Sequence, residues 1–182
     1  SRSGPQSDST DCADPRGDTP FPIASLEDWV TYGEDAVSAE VVPAADDGWV
    51  NLVPEEVLWS RPGAEPAPQQ VRAWSNGDQA SPEGIDLLEK HTYLVLLVRR
   101  HALGGDTTWA VMDTLAFDGG VVGQGPKQCW PAGTRPARGK LWGLHEADVR
   151  RVLTTAQPDP AAAPYADLDP GERYERVAAE RR

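Results

Sequence analysis

The stretch Thr92-Tyr93-Leu94-Val95-Leu96-Leu97-Val98-Arg99-Arg100 decides the fold class. Its apolar core, Tyr93 to Val98, is six residues long and made of one tyrosine, three leucines and two valines. Successive side chains of a strand point to opposite faces, so an unbroken apolar run predicts a strand buried on both sides, as in the middle of a barrel or sandwich. It is also the longest apolar run in the chain, far short of the ~20 residues a membrane-spanning helix needs. Thr107 to Phe117 reads as a second strand, joined to the first by a hairpin over Leu103-Gly104-Gly105-Asp106.

Upstream, Ser25-Leu26-Glu27-Asp28-Trp29-Val30-Thr31-Tyr32-Gly33 carries the signature of a short helix. Ser25 and Asp28 form a capping box, Leu26, Trp29 and Val30 share a face, and Gly33 is expected to end the helix in the left-handed conformation. Ala36 to Val42 alternates, with Val37, Ala39 and Val41 opposed to Ser38 and Glu40. Pro43 to Gly48 is a turn, and Trp49 to Ser60 a strand in which Pro54 demands a bulge or an edge. An extended loop from Arg61 to Pro68 leads to a third strand, Gln70 to Ser75, and then to a polar loop opened by Asn76-Gly77. Beyond Phe117, the Gly-rich segment Gly119 to Pro126 leaves room for a short bridge at Val121-Val122. Leu144 to Thr154 reads as a helix, Gln157 to Pro164 as a Pro/Ala linker, and Asp169-Pro170 as the start of a charged helix expected to dock weakly or fray. The chain thus divides into an irregular leader (1–22), a β-barrel domain with capping helices (23–155), and a linker with a C-terminal helical tail (156–182).

Composition narrows the class. Gly and Pro number 17 each among 182 residues, an excess that favours turns and extended loops over long helices. The net charge of −12 repels phosphate backbones and anionic headgroups, so no nucleic acid is expected as a partner. The polar, small-residue opening from Ser1 to Thr10 leads to the expectation of an exported chain, secreted or lipid-anchored, freed of its signal peptide or anchor. The two cysteines, Cys12 and Cys129, lack the spacing of a metal or redox motif; in an oxidising compartment they are expected to pair as a disulfide that fastens the leader to the body. Two unrelated reduced thiols are the alternative.

The order of segments carries a resemblance. A capped helix, a strand, a strand ending in Glu56-Val57-Leu58-Trp59, a Pro-rich loop, a strand ending at Trp74, and then His91-Thr92-Tyr93-Leu94-Val95-Leu96 resembles a pattern in exported actinobacterial proteins of unknown function. The layout is similar to the OB-like barrel of netrin-like and tissue-inhibitor-of-metalloproteinase-type domains, over Ser25 to Val122. The fold this implies is mainly β: a five-stranded OB-like barrel with short flanking helices, α+β overall. Inhibitor domains of that type act through a cysteine at the very N-terminus, whereas Cys12 lies behind a polar leader, so protease inhibition is not carried over.

The search for chemistry returns little. There is no GxSxG elbow, no phosphate loop and no EF-hand spacing, and His91, His101 and His145 show no partner pattern. Glu55 and Glu56, adjacent on a strand, are expected to point to opposite faces, while Asp113 and Asp118 are pocket or solvated-loop residues. No catalytic residue, metal or cofactor is assigned. The seven tryptophans are the compositional oddity: they fill and seal a small barrel, or some form a stacking platform. Trp74 and Trp130 are the candidates for ligand contact. The expected function is a non-catalytic extracytoplasmic module that binds or scaffolds a protein or a cell-envelope glycan. The alternatives are a carbohydrate-binding module using exposed Trp and an enzyme with an unrecognised carboxylate site.

Overall fold

The computed structural model describes residues 24–45, 48–74, 87–101, 107–126 and 135–182. Its centre is β4 (Thr92–His101), flanked by β1 (Asp35–Pro43) and β5 (Thr107–Ala116), both antiparallel to it. Tyr93 to Val98 are all buried, and alternation sends them into two different cores. Tyr93, Val95 and Leu97 join Val37, Ala39, Val41, Val50 and Leu52 inside the barrel. Leu94, Leu96 and Val98 face outward onto a second apolar layer roofed by helices. The expectation of a strand covered on both faces is met, by side chains inside and helices outside.

β2 (Trp49–Ser60) pairs antiparallel with β1, and β3 (Val71–Trp74) with the first part of β2. The hydrogen-bonded order is β3-β2-β1-β4-β5, and β3 and β5 also touch, so the sheet wraps into a nearly closed five-stranded OB-like barrel. The bulge expected at Pro54 is present: Ala39 faces Pro54 and Ser38 faces Glu56, leaving Glu55 as the extra residue. A second bulge beside Leu58 and a third opposite Leu96 bend the strands around the barrel.

α1 (Leu26–Tyr32) begins with the expected capping box, Ser25 Oγ accepting from the Asp28 amide and Asp28 accepting from the Ser25 amide. Gly33 does not end it in the left-handed region; its backbone is extended, at φ −75° and ψ 156°. The reason for a glycine here is contact, because a Cβ would lie 2.5 Å from Leu96 Cδ1 and 2.6 Å from the Trp29 carbonyl oxygen.

Helices α2 (Arg135–Leu141) and α3 (Glu146–Thr155) cover the outer face of β4 and β5 with Ala137, Leu141, Val149 and Leu153. The short bridge forms between Val121 and His145 and ties the Gly-rich segment to the start of α3. Where a Pro/Ala linker was expected, Pro160–Tyr165 forms a 3₁₀ turn capped by Asp159, whose own amide donates to Thr31 Oγ at 2.8 Å. α4 (Pro170–Glu180) buries Pro170, Arg173 and Val177, and its Tyr174 ring meets Tyr32 edge-on at 5.8 Å. No described helix is long and apolar enough to cross a membrane.

Candidate functional site

The outer face of β2 and β3 is built by strand alternation. Val50, Leu52, Val71 and Ala73 turn into the barrel, which leaves Trp49, Asn51 and Arg72 on the outside. Register brings them together: Trp49 faces Trp74 across the ladder and Asn51 faces Arg72. The guanidinium of the exposed Arg72 sits 4.3 Å from the centroid of the half-buried Trp49 ring, a cation–π stack. A planar cation on an indole, beside an amide, offers an apolar plane together with hydrogen-bond donors. Of the expected ligand-contact residues, Trp74 ends β3 directly opposite Trp49, and Trp130 lies outside the described residues. Cys12 and Cys129 lie outside them as well, as does their expected disulfide. The sequence reading missed Trp49 and Arg72; the signal that would have found them is the hairpin register, set by the loop between Arg61 and Gln70.

A second depression, about 340 Å³, opens between β2 and α3 and is lined by Ser38, Glu55, Glu56, Thr92 and Glu146. The bulge at Glu55 breaks the alternation, so Glu55 and Glu56 line the same depression where opposite faces were expected. Glu56 and Glu146 share a hydrogen bond, which raises the Glu56 carboxyl above its ordinary range and lowers that of Glu146. Arg150 clamps both, at 2.8 Å and 3.1 Å, and donates to the Val57 carbonyl at 3.0 Å. Both carboxylates remain open to solvent.

His91 and Asp118 form a pair that no sequence pattern announced. Nδ1 of His91 lies 2.6 Å from Asp118 Oδ2, and Asp118 Oδ1 accepts the Thr92 amide at 2.8 Å. Gly125, at φ +127°, leaves room for that carboxylate, since a Cβ there would stand 2.9 Å from Oδ2. His101 ends β4, and His145 is exposed at the start of α3 with no capping bond from its side chain. Asp113 is neither a pocket residue nor solvated; it is buried and paired with Arg138 of α2 at 2.5 Å.

Two more charged groups are buried near the start of β1. Glu34 accepts from Arg61 Nε and Nη2, both at 3.2 Å, and lies 3.9 Å from Arg99. The Asp35 carboxyl receives the Ser60 hydroxyl, and burial pushes it above the usual carboxylate range. Among the described residues, no group of three or more His, Cys, Asp or Glu side chains is arranged to hold a metal ion.

No protein-family model matches the chain, and no curated protein or solved structure matches it either.

Proposed function

We propose that this protein is a non-catalytic binding module that presents the outer face of β2 and β3 to a partner outside the cytoplasm, with a cell-envelope glycan as the ligand class. The stack of Arg72 on Trp49, flanked by Asn51, is the observation that carries the reading. Sugar rings pair an apolar face with equatorial hydroxyls, and the guanidinium plane stacked on the Trp49 indole, beside the Asn51 amide, offers a flat surface with hydrogen-bond donors that complements both. The strands that form the face belong to the part of an OB-like barrel that commonly serves recognition. Placement outside the cytoplasm rests on the two cysteines, taken as a pair. Kinship with netrin-like domains rests on the order of segments from Ser25 to Val122, and no inhibitory role is carried over from it.

The carboxylate-enzyme reading has the Glu56–Glu146 pair in its favour, but a general acid is normally held up by burial, and these two are exposed and clamped by Arg150.

Titration of intrinsic tryptophan fluorescence with soluble cell-wall glycans tests the proposal. Saturable change with a dissociation constant around a millimolar is expected, lost in Arg72→Ala and Trp49→Ala. Absence of any change at several millimolar ligand, or equal binding by Arg72→Ala, refutes it. Turnover in a broad hydrolase screen would refute its non-catalytic part.

A further inference from the structure

A cavity of about 190 Å³ lies between α1, the exit from β2, the 3₁₀ turn and α4, away from the β2–β3 face. Its walls are apolar, built by Val30, Pro62, Pro158, Pro160, Ala162 and Ala163. Two arginines, Arg61 and Arg173, also line it. Such a volume is slightly larger than the ~150 Å³ cavity that admits a benzene ring.

The charges around it do not cancel. Arg61 is neutralised by the buried Glu34. Asp159, also in the wall, is tied to Arg181 and caps the 3₁₀ turn. Arg173, 2% exposed, has no carboxylate within ion-pair distance among the described residues, Glu34 and Asp169 acting on it only from farther away. Its contacts are four main-chain carbonyls: Tyr165 to Nε at 3.2 Å, Thr31 to Nη1 at 2.7 Å, and Ala166 and Leu168 to Nη2 at 3.1 Å and 2.8 Å. A guanidinium has five N–H groups, so one on Nη1 has no acceptor among the described residues. Arg61 reaches the same Ala166 carbonyl through its Nη1 at 3.1 Å, which brings the two cations side by side at the cavity wall. A buried cation with no carboxylate in direct contact favours an anion that completes its site.

We propose that this cavity binds a small monocarboxylate with an apolar body, such as an aryl or branched aliphatic acid, its carboxylate received by Arg61 and Arg173. Nη1 of Arg173 keeps one N–H for a carboxylate oxygen with the Arg61 cation beside it, and the proline and alanine walls match a hydrocarbon body. The site is independent of the glycan-binding face.

Sodium benzoate titrated into the intact chain, followed through the methyl resonances of Val30 and Ala162, is the test. Saturable shifts with a dissociation constant of about 1 mM or tighter are expected. Benzamide, with the same body and no charge, should bind at least about tenfold more weakly. Ala163→Trp, at an exposed position in the wall, should abolish the shifts without unfolding the chain. The proposal is overturned by no saturable shift up to about 10 mM benzoate, by equal affinity for benzamide, or by undiminished binding to Ala163→Trp. Sulfate competing as well as benzoate would overturn the apolar half of the site and leave a bare anion contact.

Discussion

Replacing Arg173 by methionine removes the charge while keeping an unbranched side chain of similar length, and so isolates what the guanidinium does. In the native protein it bonds the carbonyls of Thr31, Tyr165, Ala166 and Leu168. Ala166 would keep Arg61 as a donor and Tyr165 the Leu168 amide, which leaves two acceptors, Thr31 and Leu168, without one. Thr31 lies in the last turn of α1, where the helix dipole favours a cation. Hydrogen bonds to a charged donor contribute about 1.5–3 kcal/mol each, so two amount to roughly 3–6 kcal/mol. Removing a buried cation returns several kcal/mol of desolvation, a real opposing effect here because burial and the neighbouring Arg61 push Arg173 down to about 10. The net loss expected is about 1–3 kcal/mol, confined to the attachment of residues 157–182. Hydrogen–deuterium exchange read by mass spectrometry resolves it: peptides from α4 and the 3₁₀ turn should exchange about 5–150 times faster, while β4 is unchanged. Unchanged α4 exchange would show that the four contacts are incidental to docking and refute the reasoning.

Asp35→Asn addresses the buried carboxyl bonded to Ser60. Its raised folded-state pKa means that its contribution to stability is full below the unfolded value of 3.8 and is lost as pH rises through the folded value. The variant should therefore be more stable than the native chain at pH 7, with the advantage vanishing on acidification to pH 3; urea unfolding at both pH values checks this, and a constant difference would contradict it. Gly33→Ala drives a methyl into Leu96 and the Trp29 carbonyl, and about 1–3 kcal/mol of destabilisation is expected. Adding Leu96→Ala should relieve only the side-chain part of that clash, so strictly additive urea midpoints would refute the contact. Tyr32 is pushed up to about 12, first by burial and then by Asp159 and Asp28. It favours the fold below pH 10 and ceases to as pH rises through 12, so its phenolate absorbance should appear together with alkaline unfolding.

Much of the barrel was legible because local rules act on neighbours in sequence. The run from Tyr93 to Val98 is apolar on both faces and admits only a doubly covered strand. Ser25 and Asp28 stand three residues apart and close their capping box without help from the rest of the chain. Pro54 cannot serve a regular ladder and forces a bulge beside it. By contrast, Arg135 to Leu141 contains Pro136 and Gly139, both poor helix formers; it is helical because Ala137 and Leu141 find the outer face of the barrel and Arg138 finds Asp113.

The functional features fall on the other side of that line. Trp49 and Arg72 meet through the register of β2 on β3, and His91 meets Asp118 because β4 starts where β5 ends. Arg61 and Arg173 share a carbonyl across more than a hundred residues of chain. Sequence by itself determined where the strands, the N-terminal cap of α1 and the bulge at Pro54 lie, since those follow from backbone sterics and side-chain alternation. Only the tertiary structure decided which polar groups meet, because a contact between distant segments depends on how the barrel closes and which helices roof it.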